Sequence, residues 1–227
     1  TFYKSILSLR KYFYQVAYLG SAEDFNLLRH VGICAEQRML AATEGINTHR
    51  GAIFILGILV ASAAYKYSNQ ITGVSLGEIA IRLWGENLLH HKQFTNSNGS
   101  NVKRNFKHGG ALEEVLSGYR SIYEFALPEY RAVLKETGSL DLARIQTFFA
   151  LIANVADTNV MHRGGLDGLK ESQNLASNFL NSGGVYSSGW EENAKAIHLK
   201  FIDMNLSPGG CGDLLSACIF IQHIEDA

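Results

Sequence analysis

Charged residues, prolines and cysteines are all scarce in this chain, and their scarcity narrows the classes of protein to which it can belong. Charged residues make up 18% of the 227 residues and hydrophobic residues 47%, which is typical of a globular protein and excludes a disordered one. The formal net charge is −1 and no long basic stripe is present, so nucleic acid is not expected as a partner. The three cysteines (Cys34, Cys211 and Cys218) show neither metal-ligand spacing nor an even number for disulfides, which favours the reducing cytoplasm.

The longest uncharged run extends from Gly51 to Tyr65 and is flanked by Arg50 and Lys66. It is shorter than a membrane span, so we expect no membrane partner. A helix that is apolar on every side and this short is better interpreted as the buried centre of a helical bundle. No signal or transit peptide is expected.

Helical spacing dominates the rest of the chain, which contains only two prolines. Residues 139–154, for example, place Leu142, Ile145 and Phe149 at helical intervals. We therefore predict an all-α fold, a single compact multi-helix bundle forming one domain over residues 1–227. Ser21, Ser75 and Ser139 are predicted N-caps, and residues 93–108 a long polar loop. Helices are predicted near 2–19, 22–42, 50–66, 75–92, 110–118, 121–136, 139–157, 164–181, 190–204 and 209–224.

Three polar clusters framed by glycines stand next to apolar helices. The first is Asn47, Thr48, His49, Arg50 and Gly51, directly before the most apolar helix. Asn47 or Thr48 is a suitable cap, which is one sufficient explanation. The alternative is an anion site, because two neighbouring basic residues are unfavourable at a helix N-terminus unless an anion lies between them. A phosphate chain suits the planar fork of arginine.

The second cluster combines Asp157 and Asn159 with Arg163, Gly164 and Gly165. Asp157 is predicted to end a helix, where a carboxylate is unfavourable and needs a counter-charge. Arg163 would supply it in a purely structural ion pair. Alternatively, Asp157 and Asn159 are oxygen ligands of Mg²⁺ and Arg163 binds phosphate.

The third cluster is Ser207, Gly209 and Gly210, followed by Asp213. A glycine-rich loop opening a helix is one geometry that binds phosphate, but alone it is a weak signal. Asp213, placed in the first turn, is also explained by the helix dipole. Both interpretations stay open for this cluster.

The three clusters together resemble the triphosphoribosyl-dephospho-CoA synthase family. The matching segments are residues 43–54, 157–165 and 206–215, in the family's order and spacing. The resemblance implies an all-α transferase that joins the triphosphoribosyl part of ATP to the 2′-hydroxyl of 3′-dephospho-CoA and releases adenine. The product is the precursor of a prosthetic group on an acyl-carrier protein. ATP and 3′-dephospho-CoA are the expected partners, and a homodimer is left open.

We assign roles to the matched residues as hypotheses. Catalytic roles go to Glu114 or Asp213 as the base toward the 2′-hydroxyl, and to Asp157, which with Asn159 would hold Mg²⁺. Displacement of adenine needs an anchored triphosphate, a protonated leaving base and a deprotonated hydroxyl. The remaining candidates are predicted to bind substrate: Asn47, Thr48, His49, Arg50, Gly51, Asn159, Arg163, Gly164, Gly165, Ser207, Gly209 and Gly210.

Two departures from the family pattern stand out. Leu112 replaces an arginine of the family, and Asn98 replaces a histidine. Family members also normally begin with an extra N-terminal segment, which this sequence is expected to lack because it starts after the corresponding position, at Thr1. These departures suggest an alternative function, a paralogue that binds nucleotide or CoA-like ligands with altered specificity or without turnover. An all-α Mg²⁺-dependent hydrolase of a related ribosyl-phosphate bond is a third alternative.

Overall fold

The computed structural model describes residues 1–91 and 110–226. Over these residues the chain forms ten α-helices, one π-helical turn and one 3₁₀ turn, with no strand, so the predicted all-α class is confirmed. The helices are α1 (Phe2–Ala22), α2 (Phe25–Ala42), α3 (Arg50–Ser68), α4 (Leu76–His91), α5 (Ala111–Leu116), α6 (Leu127–Thr137), α7 (Leu140–Asn154), α8 (Thr158–Asn181), α9 (Trp190–Asp203) and α10 (Gly209–Glu225). The π-helical turn is Ile122–Ala126 and the 3₁₀ turn is Gly184–Tyr186. The predicted polar loop at 93–108 lies outside the described residues.

The packing of the chain divides it into two compact units. Unit 1 lies within Thr1–Phe94, Ala111–Tyr119 and Ile219–Ala227, and unit 2 includes Arg120–Cys218. Unit 1 therefore contains α1 to α5 and the end of α10, whereas unit 2 contains α6 to α9 and the start of α10. One domain over residues 1–227 stays a prediction.

Close contacts of α1 with α3 and α2 organise unit 1. Gly20 of α1 lies against the backbone of Ala61, where a side chain would collide. The buried hydroxyl of Tyr12 donates to the Ile53 carbonyl over 2.8 Å. Because Gly57 has no side chain, this hydroxyl fits against α3 at that position. Helix α3, which is uncharged only from Gly51 to Tyr65, is thus held by shape and by a buried hydrogen bond.

Helix α3 is the one described helix that is long and apolar enough, by length and composition, to cross a membrane. Only 44% of this stretch is buried. Core helices of soluble proteins have the same length and composition, so these properties do not assign α3 to a membrane. The prediction of a buried central helix is not confirmed, because Phe54, Leu56 and Val60 keep partial exposure.

In unit 2, α7 packs between α6 and α8. The rings of Phe149 and Phe179 stack with centroids 4.0 Å apart. Gln146 is buried in α7, where it donates to Glu129 over 2.9 Å and accepts from the Val185 amide over 3.0 Å. A polar side chain with both amide atoms bonded fixes how α7 meets its neighbours.

The helix starts test the predicted caps. Ser75 and Glu78 form the expected capping box, with bonds of 2.9 and 3.2 Å in the two directions, and Ser139 caps α7. Ser21 is not a cap, because α1 continues to Ala22 and Asp24 caps α2 instead. Serine and aspartate cap equally well, so local sequence did not separate them.

Candidate functional site

The first cluster lies at the N-terminus of α3, in unit 1. The N-cap residue of α3 is His49, whose side chain makes no capping bond, and the side-chain oxygen of Asn47, two residues earlier, accepts from the Arg50 amide over 3.1 Å. Thr48 does not cap, because its hydroxyl donates to Ser5 of α1 over 2.8 Å. Gly51 is half-buried in the first turn of α3. The cluster therefore starts α3 and also joins it to α1.

Arg50 forms an ion pair with Glu36 of α2. The carboxylate of Glu36 thus supplies a negative charge next to the two neighbouring basic residues. His49 also contributes less positive charge than expected, because burial lowers the pKa of its imidazole. The Nε atom of Arg50 is buried without a hydrogen-bond partner among the described residues. The guanidinium keeps 41% side-chain exposure, so it remains accessible to a ligand.

The imidazole of His49 is held on two sides. Its Nδ1 atom lies 2.7 Å from the Ser5 hydroxyl and 3.1 Å from the Thr48 hydroxyl. The ring of Phe2 packs against it with centroids 4.3 Å apart. These contacts fix the ring orientation of a half-buried histidine beside the N-terminus of α3.

The second cluster begins with Asp157, in unit 2. The prediction that Asp157 ends a helix is wrong, since α7 ends at Asn154 and Asp157 is the N-cap of α8. One carboxylate oxygen accepts from the amides of Asn159 over 2.7 Å and Val160 over 3.3 Å. At a helix N-terminus a carboxylate is electrostatically favourable, so Asp157 needs no cationic partner.

Asp157 also bonds to a second helix N-terminus. Its other oxygen accepts from the amide of Cys211, in the first turn of α10, over 2.9 Å. The side chain is only 3% exposed. Burial raises the pKa of Asp157, and the three backbone N–H donors act in the opposite direction. One buried carboxylate thus joins the starts of α8 and α10.

This junction brings the second and third clusters together. A Cβ atom added to Gly210 would lie 3.1 to 3.2 Å from the Asp157 carboxyl group, and one added to Gly209 would lie 3.1 Å from Asn159 Nδ2. The glycines therefore allow Asp157 and Asn159 to approach the first turn of α10. This close approach explains Gly209 and Gly210, which the sequence analysis interpreted as part of a loop that binds phosphate.

Gly210→Ala should destabilise the protein although alanine is the better helix former. We expect a loss of about 1 kcal/mol in the free energy of unfolding, because the new methyl group overpacks against a carboxylate fixed by three hydrogen bonds. Gly212→Ala is the matched control, since its Cβ meets nothing within 4 Å, and it should gain about 0.5 kcal/mol. Urea denaturation measures both. Equal stability of the two variants would contradict the close approach.

Arg163, Gly164 and Gly165 lie at a kink where two helical segments meet within α8, so a helical segment begins after Gly165, close to the predicted start. Gly165 has φ 64° and ψ −159°, a conformation that only glycine adopts readily. A side chain at Gly164 would collide with Leu206. Arg163 is exposed and its Nη1 donates to Asn205 over 3.1 Å. The ion pair of Arg163 with Asp157 is therefore not formed.

Comparison with known proteins decides the family. The sequence model of the CitG family, described as ATP:dephospho-CoA triphosphoribosyl transferase, matches residues 1–227. The chain belongs to this family. A protein from Acinetobacter calcoaceticus, named as a 2-(5''-triphosphoribosyl)-3'-dephosphocoenzyme-A synthase, is 38% identical over 99% of this chain and 78% of its own length. A protein of the same name from Vibrio cholerae is 35% identical over 90% of this chain and 67% of its own.

The fold has a solved counterpart. The crystal structure described as a triphosphoribosyl-dephospho-CoA synthase from Archaeoglobus fulgidus matches with a TM-score of 0.61, covering 97% of each chain. Its sequence identity is 15%, so this likeness shows the fold alone. Together with the family match, it makes the chain an all-α transferase of the triphosphoribosyl-dephospho-CoA synthase type.

The candidate bases of the transferase lie in different units. Glu114 is half-buried on α5, in unit 1. Asp213 is half-buried on α10, in unit 2, and comes after the first turn rather than in it. Its charge adds to the effect of burial and of Asp157 in raising the pKa of Cys211. Ser207 is half-buried just before α10, and the Pro208 carbonyl next to it accepts from the Gly212 amide.

Asp157 and Asn159 do not fit the predicted Mg²⁺ site. Both oxygens of Asp157 accept backbone N–H bonds and face two helix N-termini, whose partial positive charge disfavours a cation. Mg²⁺ also keeps several water ligands, whereas Asp157 is 3% exposed. No group of three or more metal-ligating side chains occurs among residues 1–91 and 110–226. We therefore assign the metal no ligand among the residues that the structure describes.

Proposed function

We propose that this transferase joins the triphosphoribosyl part of ATP to the 2′-hydroxyl of 3′-dephospho-CoA and releases adenine. The observation that supports this most strongly is the family match over residues 1–227. The proteins from Acinetobacter calcoaceticus and Vibrio cholerae, whose names state the same product, support it further. These names favour an active enzyme over a paralogue without turnover.

The proposed step is a substitution at C1′ of the ATP ribose. The 2′-oxygen of dephospho-CoA forms a bond to C1′ while the bond from C1′ to adenine breaks. A carboxylate removes the hydroxyl proton, and adenine takes up a proton as it leaves, so no net proton is gained or lost. Glu114 and Asp213 are the proposed bases, and Glu114→Gln and Asp213→Asn distinguish them by adenine release at saturating substrates.

The basic side chains at the start of α3 are the proposed contacts for the triphosphate. Arg50 is half-exposed and paired with Glu36, so a phosphate oxygen can replace the Glu36 carboxylate on the same guanidinium. His49 lies next to it at the N-terminus of α3, where unsatisfied N–H groups also attract anions. Arg163 is exposed on α8, in unit 2, and its role in binding substrate stays a separate prediction.

The other partners remain proposals. Mg²⁺ enters as the counter-ion of the ATP triphosphate, because the predicted pair Asp157 and Asn159 does not fit it. We propose a cytoplasmic enzyme without a nucleic-acid or membrane partner, and leave a homodimer open. These proposals rest on the low charge and the cysteine pattern of the sequence.

Incubation with Mg-ATP and 3′-dephospho-CoA should release free adenine, detected by chromatography, with loss of both substrates. Arg50→Ala should raise the KM for ATP about 30-fold, since a hydrogen bond to a charged group contributes about 2 kcal/mol. Arg144→Ala is the matched control, because Arg144 forms an exposed ion pair with Asp141 in unit 2. It should leave the KM unchanged.

The other outcomes identify the alternatives. Adenine released without dephospho-CoA would indicate a hydrolase. Nucleotide binding without any adenine release would indicate the paralogue without turnover. An unchanged KM in Arg50→Ala would remove Arg50 from the triphosphate site.

A further inference from the structure

Ser5 is a buried residue of α1 that contacts the His49 imidazole across 44 positions of sequence. Its side chain is 0% exposed and its hydroxyl lies 2.7 Å from His49 Nδ1. Thr48 donates to the Ser5 hydroxyl over 2.8 Å, and its own oxygen lies 3.1 Å from the same Nδ1. Two hydroxyl groups and one ring nitrogen thus form a closed triangle.

Counting protons in this triangle decides the tautomer of His49. If Nδ1 is unprotonated, Thr48 donates to Ser5 and Ser5 donates to Nδ1, so both hydroxyl protons are used. If Nδ1 carries a proton, it donates to a hydroxyl, and one of the two hydroxyl protons has no acceptor within the triangle. With Thr48 donating to Ser5, the unused proton would be that of the Ser5 hydroxyl, which is 0% exposed, and an unused buried donor is costly. The ring proton therefore belongs on Nε2.

We propose that Ser5 is a positioning residue, which with Thr48 holds His49 as the neutral tautomer that presents Nε2–H to a phosphate oxygen of ATP. The ligand in this proposal, ATP, rests on the proposed function, whereas the tautomer does not. Ser5 does not touch the substrate and acts through His49. Fixing a ring tautomer by hydrogen bonds to its other nitrogen is a general device in proteins.

The surroundings of His49 agree with a neutral donor. Burial lowers the pKa of the imidazole, which keeps the ring uncharged near neutral pH. Phe2 packs against the ring and limits its rotation. A neutral N–H donor next to the cationic Arg50 avoids the repulsion that two positive charges would cause.

The tautomer is measured first, in the ligand-free protein, by ¹⁵N NMR of the histidine side chains. The His49 signals are assigned from their absence in His49→Gln. We expect Nδ1 to be unprotonated and Nε2 protonated in the wild type. The double variant Ser5→Ala/Thr48→Val removes both hydroxyl groups and should show a mixture of tautomers.

The control changes the same residue types elsewhere. In Ser8→Ala/Thr137→Val, both lost hydroxyls donate to carbonyls of their own helices, the Thr137 hydroxyl also accepts from the Ser139 amide over 3.1 Å, and neither bonds to His49. The His49 spectrum should be unchanged in this variant. Thermal unfolding shows whether each double variant is folded. If Ser5→Ala/Thr48→Val is not folded, the single variant Thr48→Val replaces it, since this variant retains the bond between Ser5 and His49.

Binding is measured second, as the dissociation constant of ATP in the presence of Mg²⁺. It should weaken about fivefold in Ser5→Ala/Thr48→Val, as expected for one hydrogen bond, and Ser5→Ala/Thr48→Ser should recover part of the loss. The control variant should bind as the wild type does.

A protonated Nδ1 in the wild type overturns the proposal, as does a tautomer that is unchanged when both hydroxyls are removed. A mixed tautomer with unchanged ATP affinity overturns the assigned purpose. A wild type that binds ATP but releases no adenine contradicts the proposed reaction alone, because the tautomer and affinity measurements do not depend on turnover.

Discussion

Asp157→Asn should lower the free energy of unfolding by about 3 kcal/mol, since its carboxylate accepts three backbone N–H bonds in a buried position and each lost bond costs about 1 to 3 kcal/mol. An asparagine has one oxygen, which serves either α8 or α10. Its NH₂ group then faces an N–H donor of the other helix. We expect the transferase activity to fall in parallel with the folded fraction, as measured by denaturation and adenine release.

Asp167→Asn is the control for this prediction. Asp167 lies on the same helix, α8, but is exposed, so the identical substitution should change neither stability nor activity. If Asp157→Asn instead keeps the wild-type unfolding midpoint and still loses adenine release, the carboxylate takes part in the chemistry, and the interpretation of Asp157 as a structural junction is wrong.

Gly20→Ala should be the most destabilising single methyl addition in unit 1. The new Cβ would collide with the backbone of Ala61, which cannot rotate away as a side chain could. Overpacking typically costs 1 to 3 kcal/mol, and we expect about 3 kcal/mol or more here because α1 and α3 must separate. The change in unfolding midpoint measures it. Because α1 carries Ser5, separation should also raise the KM for ATP.

Gly32→Ala tests whether the effect comes from the contact rather than from the residue type. Gly32 lies inside α2, and its Cβ would meet only the Tyr12 hydroxyl at 3.8 Å, an ordinary contact. Alanine there should stabilise the helix by about 0.5 kcal/mol. A Gly20→Ala protein as stable as Gly32→Ala would show that α1 and α3 do not pack as closely as described.

The sequence predicted which residues form the clusters, but it did not predict correctly whether Asp157 lies at the end or at the start of a helix. Residues 43–54, 157–165 and 206–215 were recognised because their residue types match a family pattern, which requires no coordinates. Asp157, however, was assigned to the end of one helix, and the structure places it at the start of the next. The two positions differ by a few residues, and helix boundaries are the least certain part of a prediction from sequence.

Ser5, Glu36 and Cys211 were missed as contacts of the predicted site. Each contributes through a partner distant in sequence: Ser5 to His49, Glu36 to Arg50, and the Cys211 amide to Asp157. A serine or a glutamate on a helix surface has no local pattern that marks such a contact. A backbone amide has no residue-type signal at all.

The sequence by itself determined the helical class, because apolar spacing and capping residues act within a few positions of the chain. It also determined the family, through the order of three motifs. Only the tertiary structure decided that Asp157 joins α8 to α10 and that Ser5 holds His49. Those contacts depend on which helix faces pack together, and packing is a property of residues far apart in the chain.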